Sequence, residues 1–169
     1  MKICSLFTLL LLASASIAVA DESEIAAAAS ESKFQFDGVW KPKGAVLGGV
    51  LLPPPVLAGI TLRIEKNKYE VTVEGEDHSD QGTFSIDDKT TPKQMTINST
   101  AGPNKGKTIL AIFEIKNDDA MRVCYDLSGK AFPKEFTAPK GTELYLVGYR
   151  RQSDDKDFEA KPLNASDAR

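Results

Sequence analysis

The strongest constraint on the fold is a period of two that recurs along most of the chain. Ile60, Leu62 and Ile64 alternate with Thr61, Arg63 and Glu65, and Tyr69, Val71 and Val73 alternate with Lys68, Glu70 and Thr72. The pattern returns at Phe84 and Ile86, at Met95 and Ile97, at Phe113 and Ile115, and at Met121, Val123 and Tyr125. Leu144, Leu146 and Gly148 are expected to share the inner face of a last strand, and Val39-Trp40 opens a first. Successive side chains of a strand point to opposite faces, so each run reads as a strand with one buried and one wet face. A helical bundle needs a period of 3.6, and a doubly wound α/β fold needs crossover helices between its strands. Neither pattern occurs.

Turn chemistry separates the runs. Lys66-Asn67 is a hairpin-length link, and polar segments at 75–80, 87–92, 102–106 and 117–119 separate the others. Residues 128–141 form a longer connection containing Pro133 and Pro139. About eight short antiparallel strands then have one apolar face each to bury. Hairpins between neighbours point to an all-β fold, an eight-stranded antiparallel up-and-down barrel. Eight strands leave an interior filled by side chains or holding one small ligand.

Composition narrows the function classes. The 169 residues carry a net charge of -3, with 21 basic and 24 acidic residues, two cysteines and one histidine. That balance excludes a strongly basic nucleic-acid-binding surface. Lys2, the apolar run from Ile3 to Leu12 and Ala18-Val19-Ala20 followed by Asp21-Glu22 have the form of a secretory signal peptide, residues 1–20, cleaved after Ala20. The run is short for a bilayer span, so the mature chain is expected to be exported, periplasmic or extracellular, with no stable membrane insertion. Cleavage removes Cys4 and leaves Cys124, within a strand pattern, as the only thiol; it reads as buried and inert. Residues 21–33 read as an Ala-rich spacer, 34–152 as the barrel domain and 153–169 as a flexible polar tail.

Reactive chemistry is sparse. His78 lies in an acidic loop, Glu74 to Asp80, whose spacing matches no EF-hand. Gly102 to Thr108 ends in Gly-Lys-Thr but has Ala101 where a phosphate loop needs its first glycine, so it reads as a hairpin turn. No expected interior position is charged. The sequence therefore points away from an enzyme, a metal site or a cofactor, and toward either of two readings. One is a binding module for a small apolar molecule, with Tyr69, Phe84, Phe113, Tyr125, Leu51 and Leu52 as lining residues. The other is a filled-core envelope interaction or structural domain without a small-molecule ligand. The apolar segment Val46–Leu57, broken by Gly48, Gly49 and Pro53-Pro54-Pro55, reads as an irregular loop: a plug, a lid or a partner surface.

The order of the motifs carries a resemblance. Gly38-x-Trp40 is followed by Leu57-x-Gly59-Ile60-x-Leu62-x-Ile64, Lys68-Tyr69-x-Val71 and Gly82-Thr83-Phe84-x-Ile86-Asp87. Then come Thr91-Pro92-Lys93-x-Met95-x-Ile97, Gly102-Pro103-Asn104-Lys105-Gly106-Lys107-Thr108, Ile112-Phe113-Glu114-Ile115, Met121-Arg122-Val123-Cys124-Tyr125 and Pro133-x-x-Phe136. Over residues 36–151 this series resembles the lipocalin-like domain family abundant in planctomycete bacteria, mostly exported proteins of unknown function. The resemblance implies a calycin-type barrel and no particular activity. Gly38-x-Trp40 is also similar to the opening motif of true lipocalins, although their other motifs and paired cysteines are missing. That likeness implies that Trp40 closes the barrel base beneath Arg150 or Arg151 from the last strand.

Overall fold

The computed structural model describes residues 35–153. The signal-peptide and spacer readings, and the tail beyond residue 153, lie outside the described residues. The elements are β1 (Gly38–Leu47), β2 (Val50–Leu51), α1 (Pro54–Gly59), β3 (Ile60–Glu65), β4 (Lys68–Val73), β5 (Asp80–Asp87), β6 (Lys93–Ala101), β7 (Thr108–Asn117), β8 (Ala120–Asp126) and β9 (Leu144–Arg151). Every pairing is antiparallel and between successive barrel strands, and β1 also pairs with β9, which closes the sheet. The result is the expected eight-stranded antiparallel barrel, built from β1 and β3–β9, with the two-residue β2 added to the edge of β1.

The interior is what the alternation dictates. Leu62, Ile64, Tyr69, Phe84, Met95, Ile97, Phe113, Met121 and Val123 are all buried in one cluster. Tyr69 sits opposite Gly82 in the β4–β5 register. A Cβ at Gly82 would lie 2.8 Å from the Tyr69 ring and closer still to the Asn98 carbonyl, so only glycine leaves that ring its place.

Two segments differ from the sequence reading. In β9 the inward residues are Tyr145, Val147 and Tyr149, in register with Tyr125, Val123 and Met121, and not Leu144, Leu146 and Gly148. The reason is a second apolar layer. Ile112, Cys124 and Leu146 are adjacent across β7, β8 and β9 on the outer surface. The long β8–β9 connection covers that surface: Pro133 and Ala138 are buried, the Cys124 thiol donates to the Thr137 carbonyl at 3.3 Å, and the Arg122 guanidinium lies 4.0 Å from the Phe136 ring centroid. Both faces of β9 are therefore apolar, and alternation loses its power to tell them apart. Cys124 is fully buried, and burial raises its thiol pKa.

The second segment is Val46–Leu57, which is more regular than a loop. Val46 and Leu47 complete β1, Gly48-Gly49 turn the chain at φ 53° and 85°, and Val50–Leu51 pair back onto it. Positive φ at both turn residues is what a tight hairpin requires and what glycine supplies. The prolines, excluded from a central strand, instead start α1, where a missing N–H at the first helical turn costs nothing.

Candidate functional site

The two ends of the barrel are built differently. At one end Phe36 is inserted into the interior, between the exposed Gln35 and Asp37. The Trp40 indole N–H donates to the Phe36 carbonyl at 2.8 Å. The Phe36 ring meets Phe113 and Phe84 edge to face, with centroids 5.3 and 5.8 Å away. Below them the Arg151 guanidinium lies 4.3 Å from the Trp40 ring centroid and donates to the carbonyls of Asp37, Gln35 and Asp118. A Cβ at Gly38, whose φ is 132°, would collide with that guanidinium. Of the two arginines named for the base, Arg151 takes the role, while Arg150 is exposed on the outer face.

The other half is hollow. A cavity of about 390 Å³ extends from Phe36 to the rim formed by Leu47, Leu52, the β4–β5 and β6–β7 turns and Leu127. This size lies within the usual range of small-molecule sites. The barrel is thus filled at one end only, which departs from the filled-core alternative. The cavity wall is almost wholly apolar, and no lysine or arginine lines it.

Two polar groups interrupt the wall. Midway up, the Tyr125 and Tyr149 hydroxyls face each other at 3.5 Å, and the Tyr125 ring stacks on Tyr145 with centroids 5.9 Å apart. Nearer the rim, the Tyr69 hydroxyl lies 2.7 Å from Ser99 Oγ and 3.2 Å from Asp80 Oδ2. Asp80 also accepts from the Asn104 backbone and side-chain amides, at 3.2 and 3.3 Å, which ties the β6–β7 turn to the start of β5. Burial raises the Tyr69 pKa to about 12 and pushes Tyr125, Tyr145 and Tyr149 upward as well. The cavity phenols are therefore neutral hydrogen-bonding groups at physiological pH.

Of the lining residues expected from sequence, Tyr69, Phe84, Tyr125 and Leu52 line the cavity. Phe113 does not: it is packed behind Phe36 in the closed end. Leu51 does not either, because β2 turns it outward and leaves it 71% exposed. Sequence reasoning missed Tyr149, Asp80 and Asn104. Tyr149 shares its face with Val147 and Tyr145, a signal obscured by the leucines of the opposite face. Asp80 and Asn104 fall in segments that read as solvated turns. His78 stands at the rim, its side chain 61% exposed and 3.8 Å from Glu76. Among the described residues no group of three or more His, Cys, Asp and Glu is placed to hold a metal ion, and no helix is long and apolar enough to cross a membrane.

No protein-family model matches the sequence, and no curated protein matches it.

Proposed function

We propose that this protein is an exported lipocalin-like barrel that binds one small apolar molecule in the open half of its interior. The observation that carries the reading is the 390 Å³ cavity with an apolar wall and few polar groups. Burying an apolar ligand there gains about 25 cal/mol per Å² removed from water, and the closed end gives the site a rigid floor. The rim supports the same reading. Leu47, Val50, Leu51, Val56 and Leu127, the exposed large hydrophobic residues among those described, all belong to the end where the cavity emerges. They supply an apolar approach for a ligand that water disfavours. The resemblance to exported lipocalin-like domains and the signal-like residues 1–20 support an extracytoplasmic setting.

Native mass spectrometry of protein purified from its own source tests the proposal. The expected result is a second species heavier by one small molecule, which disappears on denaturation. A single bare mass, together with no thermal shift across a panel of apolar compounds, would overturn it.

A further inference from the structure

Resting on that reading, we infer that the ligand is an uncharged apolar molecule carrying a hydrogen-bond-accepting oxygen, such as a ketone, ester or alcohol, and that Tyr125 and Tyr149 select it. Two phenols hold two protons and share one long contact of 3.5 Å. One O–H is therefore left to donate to a ligand oxygen. Desolvation holds both phenols protonated, so they act as donors and never as anions at physiological pH. A ligand oxygen placed there completes the hydrogen bonding of two groups that apolar side chains otherwise surround.

Charge excludes the other common class of apolar ligand, the free fatty acid. Inserted head first, a carboxylate would lose its hydration with only phenol donors in reach, since the wall holds no lysine or arginine. Inserted tail first, it would leave its charge at a rim whose lining sets two carboxylates, Asp80 and Glu76, against the single imidazole of His78. Both orientations are unfavourable. An ammonium head would find carboxylates at the rim but no acceptor with a charge at the tyrosine pair, where the ligand oxygen is placed.

Displacement of pyrene, a fluorescent hydrocarbon without polar atoms, tests the inference with chain-matched competitors at pH 8. Methyl octyl ketone and decanol are expected to compete at least ten-fold more strongly than decanoate, and more strongly than decylamine. In Tyr149→Phe the Tyr125 hydroxyl, freed of its partner, still donates and the ketone is expected to stay within about three-fold, whereas in Tyr125→Phe/Tyr149→Phe it is expected to weaken about five- to ten-fold, the value of one hydrogen bond. Pyrene affinity is expected to stay within two-fold, which shows that the variants keep their cavity. Decanoate or decylamine competing as well as the ketone would overturn the inference, as would an unchanged ketone affinity in the double variant. Pyrene failing to bind the wild-type protein would instead overturn the cavity reading itself.

Discussion

The closed and open ends of this barrel are made from the same strands, yet one is packed and the other is hollow. At the closed end three aromatic rings, an indole hydrogen bond and a guanidinium converge on the segment 35–37. At the open end Leu47, Leu52 and the hairpins around His78 and Asn104 line the mouth of the cavity instead of filling it. Stability and binding are thereby assigned to different regions. Substitutions at the closed end should cost folding free energy, and substitutions in the cavity should cost affinity with little effect on folding.

The largest effect is expected from Trp40→Ala. It removes a fully buried indole and its bond to Phe36, and should destabilise by about 3–5 kcal/mol in urea denaturation. Arg151→Met comes next. It keeps much of the apolar stem but loses the contact with Trp40 and the donors to three carbonyls. A loss of about 1–3 kcal/mol is expected, with fluorescence of Trp40, the single tryptophan, reporting a looser base.

Asp126 tests the outer layer. Burial raises the pKa of its carboxyl, but bonds from the Ser128 hydroxyl and the backbone N–H groups of Ala131, Ser128 and Lys130 outweigh it and hold the value below normal. A carboxylate with a lowered folded pKa contributes stability that is fully present above the ordinary aspartate range. That contribution is lost as the pH falls through the lowered value. Asp126→Ala should cost about 1–3 kcal/mol at neutral pH, because three backbone donors lose their acceptor. Asp126→Asn should flatten the decline in stability between neutral and acidic pH, measured by thermal denaturation across that range.

The smallest effect on folding is expected in the cavity. Val71→Phe places added volume into empty space, so stability should change by less than about 1 kcal/mol. Pyrene affinity should nevertheless fall ten-fold or more. A comparable loss of stability at Val71 and at Trp40 would remove the distinction between the two ends.

The barrel itself was legible because β3–β6 alternate cleanly and because the links between successive strands are short. An arginine over Trp40 was expected only through the likeness of Gly38-x-Trp40 to a known opening motif, which left Arg150 and Arg151 both open; the structure places Arg151 there. The last strand was not legible, since a local alternation cannot announce that a distant connection will cover its outer face at Leu146. The cavity was not legible either. Whether an eight-stranded interior fills depends on how Phe36 folds back over one end and how β1 bends between Pro42 and Gly44. Those are relations between segments far apart, and no window of sequence contains them. Leu51 shows the same limit on a smaller scale: its neighbour Leu52 lines the cavity, and the Gly48-Gly49 turn decides which of the two faces in.

The central claim is that the open half of the barrel is an accessible apolar cavity. Titration of the wild-type protein and Val71→Phe with pyrene tests it most directly. The expected result is saturable binding of one equivalent to the wild type, weakened at least ten-fold by the substitution. Absence of saturable binding, or equal binding by both proteins, would contradict it.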